Sequence, residues 1–323
     1  MAERDRQRVR RMHRRRHPLQ PEQRLRHPLH LPPSLPDDSD HRRTDREREL
    51  LLRLRDPAKA MTGRDGPPAD GMRKRVLVPL PDRDFDPTEA AVPWRLLTDA
   101  GYEIVFATER GGAPPACDAR ALRGIVFGRF GAGTEVQTFY AELEQAAEFR
   151  SPVAWTDADP ERFDGLLLPG GHAPGMRQYL GSRALQEKIS AFWYLQRPVG
   201  AICHGVLPLA RARDDQGRSL LARRRTTCFP KYLERLARGA TFWLGDYART
   251  YPVYVEDEVR AALDDPARQF ERGSRVFLAR GTASDDRAAF VVVDGNYVSG
   301  RWLGDAYLFA RSFERLLRAA PAL

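Results

Sequence analysis

The chain has only three cysteines, Cys117, Cys203 and Cys228. None sits in a C-x-x-C pair, so a disulfide framework and a zinc ribbon are poor readings, and a reducing, cytoplasmic setting fits. No stretch approaches the roughly 18 consecutive apolar residues of a transmembrane helix. The arginine-rich start is not followed by the apolar run of a secretory signal, so no membrane partner is expected. Histidine is scarce beyond residue 60: five of the seven, His13, His17, His27, His30 and His41, precede it, which leaves His172 and His204.

Charge is equally uneven. Of a formal +9, residues 1–60 carry most, with 17 Lys/Arg against 10 Asp/Glu, and the rest of the chain is nearly balanced. Residues 1–72 lack helical or strand periodicity and are expected to form a disordered leader. A nucleic-acid arm, a histidine tract for metal and a solvated tail are all open readings of it, as is a start codon placed upstream of Met61 or Met72. The second basic run, RARDDQGRSLLARRRTT, has no interleaved aromatics for base stacking and reads as a solvated connection, so nucleic acid is not the expected partner.

What is present is ample apolar material, 42% of 323 residues, enough for a large core. GRDGPPADG, residues 63–71, is a breaker-rich linker, and one ordered domain is expected over residues 73–323. Val76, Leu77 and Val78 read as a buried strand. TEAAVPWRLLTDAG follows as a helix capped by Thr88 and ended by Gly101, then a strand over residues 102–109. This strand–helix–strand opening indicates a parallel sheet with right-handed crossovers. Residues 111–160 look irregular, an edge insertion around the helical segment TFYAELEQAAEF. Leu166, Leu167 and Leu168 form a central strand running into Pro-Gly-Gly. A helix over residues 184–194, a strand over 199–202, a helix through Arg211, a hairpin at Asp294-Gly295 and a final helix over 305–319 complete the pattern. The fold class expected is α/β, an open and mostly parallel sheet with helices on both faces, flavodoxin-like.

In such sheets ligands bind at the carboxyl ends of the strands. Three groups fall there: Glu89, the loop Gly170-Gly171-His172, and Cys203-His204. A cysteine at a sharp strand-to-helix turn sits over a helix N-terminus, which favours its thiolate. Gly200, Ala201 and Gly205 are small enough to let the backbone turn there. The adjacent His204 offers a base and a backbone N–H, and Gly170 or Gly171 a second oxyanion donor. The plainer alternatives are a buried inert thiol, an ordinary turn at Pro-Gly-Gly, and a Glu89 placed only for the helix dipole.

The segments DFDPTEAAVPW, DGLLLPGGHAPGMRQYL and PVGAICHGVLPLARA, in this order, resemble the DJ-1/PfpI superfamily, whose fold is that of class I glutamine amidotransferases. The likeness spans residues 73–317. It implies that Cys203 is the nucleophile, His204 its partner, Glu89 the carboxylate on the thiol, and Gly171 with the His204 backbone the oxyanion donors. Gly205 falls at the pocket by its place in the turn, and His172 reads either as a pocket residue or as an exposed loop histidine. Several members add a downstream acid that orients the histidine. Here Lys231 follows Phe229-Pro230, and Glu234, one helical turn on, is the candidate. Cys228 reads as a core thiol, and Cys117 has no visible partner.

The same resemblance implies a cysteine enzyme needing no cofactor and no metal, acting on small reactive carbonyls in the manner of glyoxalase III or a deglycase, methylglyoxal to lactate. A holding chaperone or redox sensor, and an amidase or peptidase, are the alternatives, and a homodimer is one open assembly. Glutamine amidotransfer is disfavoured because DAYLFARSFERLL near the end contains no histidine. The aromatic stretch ATFWLGDYARTYPVYVEDEV is read either as a flap or subunit contact, or as a helix and loop packed on the sheet.

Overall fold

The computed structural model describes residues 73–125, 131–276 and 279–323. The expected leader, with its five histidines, lies outside the described residues. The strands are β1 (Arg75–Pro79), β2 (Arg83–Phe85), β3 (Glu103–Thr108), β4 (Ala116–Cys117), β5 (Val153–Ala154), β6 (Gly165–Leu168), β7 (Val199–Ile202), β8 (Val291–Asp294) and β9 (Tyr297–Gly300). Seven of them form one sheet in the order β5-β3-β1-β6-β7-β9-β8, while β2 and β4 pair separately. Every pairing in the large sheet is parallel except β8 with β9.

The central strands β6 and β7 are buried throughout, as continuous apolar runs covered on both faces require. From β1 the chain crosses to β3 on one side, and from β6 it crosses to β7 on the other. Right-handed crossovers taken in opposite directions put their helices on opposite faces of the sheet. The first crossover holds α1 (Pro87–Asp99), which packs against the C-terminal helix, and the second holds α2 (Arg183–Tyr194), followed after β7 by α3 (Leu207–Arg211). The order reverses between β1 and β6, so the crevice outside their carboxyl ends is the place where such a sheet offers a ligand site.

Some expectations shift. The cap of α1 is Asp86, not Thr88: Asp86 Oδ1 accepts the N–H of Thr88 at 2.8 Å and of Glu89 at 3.1 Å, and Pro87 takes the first helical position. Residues 111–160 do more than decorate an edge, since they supply β4 and the edge strand β5, and the expected helix divides into Thr134–Leu143 and Ala147–Arg150. In the β8–β9 hairpin Asp294 pairs with Tyr297, so Gly295 and Asn296 make the turn, with Gly295 at φ +61°. The second arginine run is anchored as well as solvated: Arg224 lies over the Trp193 ring and donates to the Asp294 carbonyl, and Arg225 pairs with Glu271. Among the described residues no helix is long and apolar enough to cross a membrane.

Candidate active site

Cys203 follows β7 directly, with φ at +60°. A non-glycine residue is rarely held in that region, and it persists only where the surroundings fix it. The fixing contacts are tight. A Cβ on Gly205 would stand 2.1 Å from the Leu168 carbonyl oxygen, and one on Gly170 would stand 2.7 Å from the His204 backbone nitrogen. The β6 and β7 ends can therefore approach this closely only with glycine at both positions, which accounts for the AICHG and PGG patterns. Gly171 is likewise confined, in its case by the Asp84 carbonyl and the Asp86 nitrogen.

The side chains converge as the sequence suggests for three of the four catalytic candidates. Cys203 Sγ lies 3.3 Å from Nδ1 of His204. Glu89, one turn into α1, forms a hydrogen bond with the Cys203 thiol, and its Oε2 accepts the Gly170 N–H at 2.9 Å. In return the Asp86 N–H donates to the Gly170 carbonyl at 2.9 Å. The helix bearing Glu89 and the loop beside Cys203 are thus bonded together in both directions. Gly170 N–H is committed to Glu89 and so is not free to serve an oxyanion, while the His204 backbone hydrogen-bonds the Cys203 sulfur.

All three groups are buried, with Cys203 5%, Glu89 1% and His204 1% exposed. Burial pushes the Glu89 carboxyl well above its ordinary range, reinforced by the nearby Asp86 charge. It pushes the Cys203 thiol up too, with Glu89 and Asp86 adding to the effect. Desolvation lowers His204 well below the usual imidazole value, so the ring is neutral at neutral pH. Burial thus works against charge on all three and favours the protonated carboxyl, the thiol and the neutral imidazole.

Glu234 does not join them. Its Oε2 accepts the Val255 N–H at 3.0 Å, burial raises its carboxyl to about 7, and His204 Nε2 is buried without a hydrogen-bond partner among the described residues. The His204 ring instead stacks near Phe229, at 5.3 Å between centroids. The arrangement is a Cys-His-Glu89 cluster without a downstream acid on the histidine. The reason is local: Glu234 lies on the helix α4 (Lys231–Ala240) and serves to hold the start of α5 (Val255–Ala261). Cys228 is a fully buried core thiol, as expected. Cys117 does have a partner, since its N–H and thiol both meet the Tyr140 hydroxyl.

His172 lies in the loop after β6, its ring 5.0 Å from that of Tyr247 and nearly perpendicular to it. Tyr247 donates its hydroxyl to Asp118 Oδ2. Three residues absent from the sequence reading therefore belong here: Asp86, Asp118 and Tyr247. Asp86 had a visible signal in Asp-Pro-Thr-Glu, an acid before a proline at a helix start. Asp118 and Tyr247 meet across 129 positions, and nothing local announces such a contact.

A ThiJ/PfpI family-like model matches residues 80–273 of the chain. A deglycase of Pyrococcus abyssi is 26% identical over 244 residues, covering 76% of this chain and 99% of its own. Deglycase PfpI of Pyrococcus furiosus is 24% identical over 239 residues, covering 74% and 97% respectively. Among solved structures, glyoxalase III of Candida albicans superposes with a TM-score of 0.55 at 19% identity, covering 75% of this chain and 97% of that one. That likeness is one of fold. The matched segment contains the whole Glu89, Gly170-Gly171-His172 and Cys203-His204 constellation, and the chain belongs to the ThiJ/PfpI-like family of the DJ-1/PfpI superfamily.

Proposed function

We propose that the protein is a cysteine enzyme that needs no cofactor and converts small reactive carbonyls, with methylglyoxal to lactate as its representative reaction. One observation carries this reading: a thiol held at φ +60° with an imidazole nitrogen at 3.3 Å on one side and a carboxyl hydrogen-bonded on the other. As the sulfur adds to the aldehyde carbon, His204 Nδ1 accepts the thiol proton and the carbonyl oxygen becomes an oxyanion facing backbone N–H groups. Glu89 protonates that oxygen, which gives a hemithioacetal and leaves Glu89 a carboxylate. That carboxylate takes the proton on the former aldehyde carbon and delivers it to the neighbouring ketone carbon, while the hemithioacetal hydroxyl proton passes to the ketone oxygen, so the second carbon is reduced as the first is oxidised to a thioester. Water cleaves the thioester, lactate leaves, and the sulfur regains its proton. No external oxidant or reductant enters the balance.

The names of the Pyrococcus relatives as deglycases support carbonyl chemistry of this class. A redox-sensor role is less well supported, since oxidation favours exposed thiolates and this thiol is buried, with its pKa pushed up by that burial. Lactate formation from methylglyoxal by the full chain, compared with Cys203→Ala, tests the reading: activity that survives the substitution removes it.

A further inference from the structure

A nucleophile that is 5% exposed cannot meet a substrate unless part of the protein moves. Most of its surroundings are ill suited to move, being strand ends, α1 and α3, the elbow helix that follows the turn at Cys203, all part of the main core. One segment tied to the loop after β6 is different. It is residues 241–251, which pack through Tyr247 and Ala248 onto Ala173 in a small apolar cluster separate from that core, with only Tyr251 resting on the core's edge. Their outer side leaves Phe242 and Trp243 exposed, at 75% and 52%.

We propose that residues 241–251 form a lid over the Cys203 site and that Tyr247 is the residue that latches it. The inference rests on Cys203 being the reacting centre. The latch is polar and therefore reversible. Tyr247 hydroxyl donates to Asp118, whose own N–H is bonded to the Phe85 carbonyl, immediately before Asp86. The Tyr247 ring packs edge-on against His172 and lies under the Arg120 guanidinium at 5.1 Å. Thr250 Oγ1 donates to the His172 carbonyl at 2.7 Å, and Arg177 Nε donates to the Thr250 carbonyl at 2.7 Å. Tyr251 stacks on Arg211, at the end of the elbow helix, 4.2 Å from its ring centroid. These ties run to the loop after β6 and the short helix Met176–Leu180 that follows it, to the neighbourhood of Asp86 and to α3. Gly245, just before the latch, sits at φ +63° with open space where a side chain would be, a backbone pivot that only glycine adopts readily.

Opening thus breaks three hydrogen bonds made by side chains, the His172 ring contact and two guanidinium–ring contacts while the sheet stays intact, which is the kind of local transition from which lids are drawn. The test is the rate at which iodoacetamide alkylates Cys203 in the folded full chain, read by peptide mass, without any substrate. Tyr247→Phe keeps the ring contacts and removes the Asp118 bond; Thr250→Val removes the bond to His172. Each is expected to raise the Cys203 rate, tenfold or more for Tyr247→Phe, while the core thiol Cys228 stays unmodified. Rates within twofold of wild type in both variants overturn the lid, and so does a gain at Cys203 matched by one at Cys228, which marks global opening. Hydrogen exchange on the wild type guards against a variant that fails to fold: amides of residues 245–251 should exchange ahead of those of α1, and simultaneous exchange contradicts the proposal. Because alkylation needs no turnover, it judges the lid even if lactate never forms.

Discussion

Glu89 Oε2 receives the Gly170 N–H at 2.9 Å, and this one bond joins the helix that follows β1 to the loop that follows β6, across the point where the strand order reverses. The acid that faces Cys203 is thereby positioned by the backbone of the neighbouring strand end. Glu89→Gln should preserve the bond to Gly170, because an amide oxygen accepts as a carboxyl oxygen does. It should also lower the thiol pKa, since an amide cannot take on the negative charge that opposes the thiolate. Alkylation of Cys203 at pH 7 is expected to rise while lactate formation falls by about 10²-fold or more, the range for loss of a proton-transfer group. Parallel losses in both assays would mean that Glu89 acts only in folding.

Asp86 has two separable jobs. Its side chain caps α1, and its charge raises both Glu89 and Cys203. Asp86→Asn keeps a capping oxygen and should leave melting nearly unchanged, while shifting the pH profile of Cys203 alkylation downward. Asp86→Ala should lose in addition about 1 kcal/mol of cap stability. Equal pH profiles for wild type and Asp86→Asn would contradict the electrostatic role.

Glu234 is the residue on which sequence and structure part. Its folded pKa of about 7 lies above the ordinary 4.5, so the folded chain holds this proton more tightly than the unfolded one. The stability linked to it is complete below pH 4.5 and is lost as pH rises towards 7. Glu234→Gln should therefore raise the melting temperature at pH 8 more than at pH 5, and should leave turnover within about threefold, since the group does not contact His204. A loss near the 10⁴-fold associated with a misoriented triad histidine would restore the third-acid assignment.

The path of the chain was legible because β6 and β7 are continuous apolar runs ending in glycine-rich turns, and because Asp-Pro-Thr-Glu announces a helix start. Cys203, His204 and Glu89 could be found for the same reason, each lying within a few residues of a strand end. The third acid could not, because nothing in Phe-Pro-Lys-Tyr-Leu-Glu shows that Glu234 turns to the Val255 N–H. Nor could the Tyr247–Asp118 bond, which depends on how two loops from distant parts of the chain meet.

The C-terminal region holds a fully buried ion pair, Arg301 with Asp305, and Arg301 also donates to the carbonyls of Ser274 and Ala288. Arg301→Ala leaves Asp305 buried and unpaired and should cost about 3–5 kcal/mol in denaturant unfolding. The double change Arg301→Met with Asp305→Leu should recover much of that loss. A single-variant cost below about 1 kcal/mol would show that water reaches the pair.

The most direct measurement of the central claim is lactate production from methylglyoxal by the full chain, without glutathione or added metal, for wild type and Cys203→Ala. The account predicts lactate from the wild type and only the uncatalysed background from the variant. A folded wild type that makes no lactate, or a variant that makes as much as the wild type, would contradict it.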